Sequence, residues 1–361
     1  HNKHRFRQNA HEHQTLIHGN KDSVTKSHYL ASRPTKVIVH GWRSSGSSNI
    51  NVAITSAFLV ESDCNVIVVD WSKVAGGFNY PGASAGVPNV GEHVGKFLIW
   101  LFDNVGGNWN TIHLVGHSLG AHVVGNAGRT ANGRPRRVTG LDPAGPLWGN
   151  NDKAIDKRAG QYVEAIHTDG GILGLFKPVG HADFYPNGGK NPQPGCWFSI
   201  CSHSRSYELF AASIHLDHLI GKACTSIEEA EQKKCNGAEF HMGNAKIDKT
   251  GAWVRFPLRA NILCINKCLF CVWVFCMYYK YKYAFTKKSI YVFYQLSDFI
   301  SLGSDGVVCN VLRYLFKKKH TKINNKHKNK KKTYRHMFYK LNIKNKKEEI
   351  HFKSHTGLDS A

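Results

Sequence analysis

The chain has 361 residues, 42% of them hydrophobic and 11% aromatic, which allows one or two domains with a sizeable core and excludes a wholly disordered, collagen-like or small disulfide-scaffold protein. Its formal charge of +23 would ordinarily raise nucleic acid or an anionic membrane as a partner. The charge is uneven, however: residues 1–260 hold 27 basic and 20 acidic residues, net +7, and residues 261–361 hold 21 and 5, net +16. All 11 prolines and 31 of the 34 glycines also fall in residues 1–260, where they punctuate turns and caps as in a folded domain. These counts divide the chain into a domain at 1–260 and a basic, Gly- and Pro-poor tail at 261–361.

No charged segment followed by an apolar one opens the chain, and His1 is not a natural start, so the reading is of a fragment or processed form with its signal peptide missing. The longest apolar run, Cys268 to Tyr279, is too short for a membrane span. Residues 1–32 read as a polar, His-rich leader. Lys36 to Val39 is a β-branched strand that ends in His40-Gly41-Trp42, and residues 44–48 form a Ser/Gly loop before a helix over 49–60. Val66 to Val69 is a second short strand. Pro88 opens a helix to Asp103, with Val90, Val94, Phe97, Leu98 and Leu101 at helical spacing. Thr111 to Val115 is a strand followed at once by Gly116-His117-Ser118-Leu119-Gly120 and a helix to about Arg129. Strands are expected at Val138 to Leu141 and Tyr162 to His167, and a helix over 204–220. Short apolar strands alternating with helices predict an α/β fold with a mainly parallel sheet and helices on both faces, and a site beyond the carboxyl ends of the strands.

Gly116 to Gly120 fits the pattern of a nucleophile elbow, a strained strand-to-helix turn that lifts Ser118 out at the sheet edge and sets the Leu119 N–H at a helix N-terminus, where it can hold an oxyanion. The bare pattern also occurs at Gly82-Ala83-Ser84-Ala85-Gly86. That copy follows a turn signal with no strand before it, so Ser84 reads as a small residue in a loop. A nucleophilic serine needs a base, and the base an orienting carboxylate. Asp142, in Leu141-Asp142-Pro143, stands at a strand's carboxyl end. Among 22 histidines, His203 lies just before a predicted helix, and the order Ser118, Asp142, His203 is that of α/β-hydrolases. His117 and His122 flank the serine at positions that do not generally present imidazole to it. The glycine of His40-Gly41-Trp42 lets the strand end turn a backbone N–H into the site, giving a second oxyanion donor.

Together the stretches SRPTKVIVHGW (32–42), NVIVVDW (65–71), HLVGHSLGAHVVG (113–125), VTGLDPAGP (138–146), GHADFYPNGGKNPQPGC (180–196) and CSHSRSYELF (201–210) resemble the pancreatic-lipase-like family, and within it the insect phospholipase A1 and lipase-related branch. The resemblance covers roughly residues 14–258 and implies an α/β-hydrolase fold. It assigns the nucleophile to Ser118, the acid to Asp142, the base to His203 and the oxyanion donors to Trp42 and Leu119. It further implies a lid disulfide between Cys196 and Cys201 and a second pair, Cys224 with Cys235, which together favour an oxidising compartment and a secreted protein. Only Trp197, Phe198, Ser199 and Ile200 separate the lid cysteines, and so short a lid resembles the phospholipase A1 branch. Those apolar residues read either as an interfacial anchor or as inward-packed loop. Cys64 has no evident partner in residues 1–260. No metal or other cofactor is expected, and no Asn-x-Ser/Thr sequon occurs.

Residues 261–361 lack the strand and turn pattern of the β-sandwich that pancreatic lipases carry at this point, so no such domain is expected. They read as a gene-model or read-through artefact or as a disordered basic tail. A role in nucleic-acid binding rests on charge alone and is not expected. The resulting expectation is a secreted carboxylic-ester hydrolase acting on a phospholipid or neutral lipid at an interface, a phospholipase A1 first. A triacylglycerol or galactolipid lipase, or a lipid-binding protein on a lipase scaffold, stands as the alternative.

Overall fold

The structure is a computed structural model. It describes residues 14–249 with their side chains and, as backbone only, His13 and three further strands at 261–265, 338–343 and 350–353. The readings of the remaining tail and of the first 12 residues lie outside the described residues. Every described element belongs to one unit of the chain, formed by residues 1–268 with 335–361.

Six parallel strands form the centre of the sheet: β2 (Thr35–Val39), β3 (Asn65–Asp70), β4 (Ile112–His117), β5 (Arg137–Leu141), β6 (Tyr162–Ile166) and β7 (Ala182–Pro186), in the order β3-β2-β4-β5-β6-β7. Every residue of these strands is buried, as expected of a parallel sheet covered on both faces. The short β1 (His13–Thr15) and the backbone-only β10 (Asn261–Ile265), β11 (Phe338–Ile343) and β12 (Ile350–Lys353) extend the edges, β11 lying between β1 and β3. On the other side β10 leads to the antiparallel β8 (Ile220–Cys224) and β9 (Glu239–His241).

Strand order and crossover handedness place the helices. From β2 the chain runs through α2 (Asn49–Glu61) to β3 on one side, then returns through the short α3 (Ser72–Ala75) and the long α4 (Tyr80–Asn104) past β2 to β4. Right-handed crossovers in opposite directions put α2 and α4 on opposite faces. The next step, through α5 (Leu119–Thr130) to β5, continues in the second direction, so α5 shares the face of α4, against which it packs. On the other face α2 packs against α6 (Ser199–Leu216). The reversal falls at β2, flanked by β3 and β4, and the crevice outside its carboxyl end is where an open α/β sheet binds ligands.

Several boundaries differ from the sequence reading. α4 begins at Tyr80, eight residues before Pro88, because the Asn79 side chain accepts from the Gly82 N–H at 2.9 Å and Pro81 is tolerated in a first turn. Ser84 is therefore a buried helical residue and not part of a loop. α6 begins at Ser199 and stops at Leu216, where Asp217 takes a left-handed conformation with φ 44°. His203 consequently sits inside this helix and not before it. The leader contributes β1 and α1 (Lys21–Thr25), the latter capped by Asn20. β7, β8, β9 and α7 (Ile227–Gln232) had no sequence counterpart.

Candidate active site

The candidate residues meet at the carboxyl ends of β2, β4 and β5. Val39 pairs with Gly116, so the β2 end and the turn after β4 lie side by side. Ser118 occupies φ 57°, ψ −125°, outside the favoured regions for a residue with a side chain. The surrounding contacts hold it there. Its N–H donates to the Leu141 carbonyl at 3.0 Å. A Cβ on Gly116 would come within 2.1 Å of the Gly120 oxygen, and one on Gly120 within 2.4 Å of the Val39 oxygen. Both flanking glycines are thus required by close backbone approach. On the β2 side, a Cβ on Gly41 would meet the Ser118 Cβ at 2.8 Å. Among the described residues the Trp42 and Leu119 backbone N–H groups, the two expected oxyanion donors, donate to no other group.

Asp142, the residue after β5, is fully buried with φ 41°. Its Oδ1 accepts from the Thr168 and Asp169 N–H groups at 2.7 and 3.1 Å, and its Oδ2 accepts from His203 Nδ1 at 2.6 Å. With the acid accepting, the His203 proton lies on Nδ1, and Nε2 is left as a proton acceptor. Gly174 makes room for the carboxylate: a Cβ there would stand 2.5 Å from Asp142 Oδ1.

His117, set aside in the sequence reading as a base, contributes otherwise. Its Nε2 donates to the His203 carbonyl at 3.1 Å, and the two rings lie 4.5 Å apart between centroids. The residue before Ser118 thereby ties the serine's turn to the helix that carries His203. Burial first, and the neighbouring His203 second, hold the His117 pKa well below the usual histidine value, so it remains neutral beside the other ring. His122 secures the segment after Asp142: Nε2 donates to the Ala144 carbonyl at 2.9 Å, Nδ1 accepts from the Ile155 N–H at 3.1 Å, and the ring stacks on Trp148 at 4.0 Å. Thr168 and Asp169 also escaped the sequence reading. The signal was available, since they follow β6 at the next carboxyl end along the sheet. Burial, with a contribution from the Asp142 charge, raises the Asp169 pKa.

Cys196 is bonded to Cys201 and Cys224 to Cys235, the two pairs that the resemblance implied. Cys64 is buried, its sulfur 3.9 Å from the Phe58 carbonyl oxygen. The short Cys196–Cys201 loop leads into α6 and exposes Trp197, Phe198 and Ile200 at 88%, 76% and 75%, so these side chains are not packed inward. A groove of about 310 Å³ lies between the segments after β5 and β6, lined by Pro146, Ile172, Leu175 and Phe176 among others. Among the described residues no group of three or more His, Cys, Asp or Glu side chains is arranged to hold a metal ion, and no helix is long and apolar enough to cross a membrane.

A parallel sheet with this strand order, an elbow serine after β4 and an Asp–His contact across the next strand end define an α/β-hydrolase. Residues 5–252 match the family model described as Lipase, and the chain belongs to that family, the pancreatic-lipase-like family. It is similar to lipoprotein lipase of Bos taurus, 36% identical over 249 residues that cover 61% of this chain and 52% of that protein. Lipase member H-A of Xenopus laevis is 38% identical over 234 residues, covering 60% and 49%. Pancreatic triacylglycerol lipase of Sus scrofa is 34% identical over 284 residues, covering 70% and 61%. The matched region spans about half the length of these relatives. Among solved structures, MGS-M1, an alpha/beta hydrolase enzyme from a Medee basin deep-sea metagenome library, is 20% identical with a TM-score of 0.29, over 40% of this chain and 60% of that one.

Proposed function

We propose that the protein is a secreted carboxylic-ester hydrolase of lipids, and specifically a phospholipase A1 that releases the sn-1 acyl chain of glycerophospholipids. Ser118 attacks the ester carbonyl while His203 Nε2 takes its proton and returns it to the leaving alcohol. Asp142 orients the imidazole and stabilises its charged form. The N–H groups of Trp42 and Leu119 hold the oxyanion, and water then hydrolyses the acyl-enzyme. The lipase relatives support a lipid ester as substrate, and the two disulfides support an oxidising, extracellular setting.

The observation that carries the phospholipid reading is the Cys196–Cys201 loop. Four residues cannot cover the site or offer a wide apolar surface to an oil droplet, yet three exposed apolar side chains suffice to touch a bilayer interface. The test incubates the full chain and a Ser118→Ala control with phosphatidylcholine vesicles and with triolein emulsion, and identifies the released chain by position. Loss of the sn-1 chain from phospholipid, absent in the control, is expected. Cleavage of triolein alone would retain the mechanism and overturn the substrate.

A further inference from the structure

We infer that Arg43 reads the phosphate of the substrate: its guanidinium takes the phosphodiester of a glycerophospholipid whose sn-1 ester lies at Ser118. This rests on the phospholipase reading and extends it to a specificity-determining residue.

The first argument is place. Arg43 directly follows Trp42, the expected oxyanion donor, and is two residues from Gly41, which packs on Ser118. Its backbone is fixed in a left-handed turn, φ 54°, by an N–H bond to the Ala75 carbonyl at 2.7 Å. In a glycerophospholipid only the glycerol skeleton separates the sn-1 carbonyl from the phosphate. A group that grips the phosphate must therefore stand within a side chain's reach of the oxyanion donor.

The second argument is availability. Each of the other described arginines holds a carboxylate or a backbone carbonyl. The Arg43 side chain is exposed and, among the described residues, has neither. What it has is aromatic: its guanidinium lies 4.6 Å from the Phe78 ring centroid and 5.9 Å from that of Trp42. A cation–π contact holds a guanidinium near a ring without using up its N–H groups, and the fork of those groups matches a phosphate with two parallel hydrogen bonds. Phe78 is itself 82% exposed, so the pair sits at the surface.

The third argument is charge. Residues 41–60 and 71–91 contain Arg43 and Lys73 and no Asp or Glu. The nearest carboxylate on this side, Asp70 at the end of β3, is buried against His40 and the Ser72 N–H, which leaves Arg43 as the exposed charge beside neutral rings: Trp42 meets Tyr80 edge to face at 5.1 Å, and the Tyr80 hydroxyl donates to the Pro146 carbonyl at 2.8 Å. A triacylglycerol presents a third ester where a phospholipid presents its phosphate, and nothing on an ester uses a cation in this way.

The test compares the full-length wild type with Arg43→Gln and Arg43→Lys on two soluble esters, monomeric dihexanoylphosphatidylcholine and p-nitrophenyl butyrate. Monomeric substrate separates recognition of the headgroup from adhesion to a charged surface. Arg43→Gln is expected to lose about 10–100-fold in kcat/KM on the phospholipid, carried by KM, and to keep its rate on the butyrate. Arg43→Lys, a point charge without the fork, recovers part of the loss. Glycerophosphocholine is also expected to compete with butyrate hydrolysis, with a Ki at least about tenfold higher in Arg43→Gln, while glycerol does not compete. Equal losses on both esters, no loss on either, or an unchanged Ki would overturn the inference. If phosphatidylcholine is cleaved at sn-1 without selective loss in the variant, Arg43 is wrong and the phospholipase reading stands. If the wild type spares phosphatidylcholine while glycerophosphocholine still competes through Arg43, the phosphodiester site stands and the phospholipase reading falls.

Discussion

Within one parallel sheet, polar side chains are treated in two ways. Arg137, at the start of β5, is fully buried and holds the equally buried Glu164 of β6, and it also donates to the carbonyls of Gly243, Asn244 and Lys246. Lys249 and Thr139 complete the Glu164 carboxylate at 2.8 and 2.9 Å. Burial alone would raise the Glu164 pKa, but Arg137 and Lys249 outweigh it and hold it below the usual value. At the carboxyl ends of the strands the backbone is instead strained, at Ser118 and Asp142, and the Trp42 and Leu119 N–H groups lack a protein partner among the described residues. The first arrangement uses its charges on itself and ties residues 243–249 to the sheet. The second leaves the Trp42 and Leu119 N–H groups without a protein partner among the described residues, beside a serine and an aspartate on left-handed backbone. Burial of a polar group thus serves structure at one end of the sheet, while the other end combines strained backbone with unspent hydrogen-bonding capacity.

That contrast can be broken from either end. The largest effect is expected for Asp142→Asn, which keeps the shape but removes the preference for a proton on His203 Nδ1. Ester hydrolysis should fall about 10⁴-fold with the melting temperature nearly unchanged. A loss below tenfold would show that Asp142 does not orient the base. Glu164→Ala should do the reverse. It strands the Arg137 and Lys249 charges in the interior and is expected to cost about 3–5 kcal/mol in chemical denaturation, while the protein that remains folded keeps its kcat. A matching fall in kcat would mean that the two ends of the sheet are coupled.

A pH effect separates them further. Burial lowers the His122 pKa from 6.5 to about 3, so the unfolded chain binds the proton first as pH falls. Stability is then complete above about pH 6.5 and declines toward pH 3, by about 2 kcal/mol between pH 7 and pH 5 from this residue. His122→Gln should be less stable at pH 7 yet show a shallower decline, read as melting temperature against pH; parallel curves would assign the acid sensitivity elsewhere. The smallest effect belongs to the rim. Trp197→Ala should weaken binding to phosphatidylcholine vesicles severalfold without altering hydrolysis of a soluble ester, because the ring is almost wholly exposed.

Much of this was legible in the residues because β2 and β3 carry uninterrupted apolar runs, β4 to β6 keep short apolar stretches around their polar residues, and the elbow has a fixed glycine spacing. Hidden elements had physical reasons to be so. β7 carries Asp183 and ends in Pro186, which reads poorly as a buried strand until Asp183 is seen to accept from His167 Nε2 at 2.9 Å and from the Val179 and Gly180 N–H groups. The start of α4 looked like a turn because of Pro81, Gly82 and Gly86, and its later glycines serve packing: a Cβ on Gly91 would stand 2.4 Å from Asn126 Cβ of α5. His117 was invisible as a positioning residue since its role depends on a carbonyl 86 residues away. Arg43 is one of 48 basic residues in the sequence, and only the partners held by the other described arginines set it apart.

The most direct test of whether the carboxyl end of this sheet is a working hydrolase site is covalent labelling. The full chain, folded under oxidising conditions, is treated with a fluorophosphonate probe and the modified peptide is sequenced by mass spectrometry, beside a His203→Ala variant. A single label on Ser118, strongly reduced in the variant, is the predicted result. No label on a folded wild-type chain, or a label elsewhere with Ser118 untouched, would contradict the account and leave a lipase scaffold that binds lipid without cleaving it.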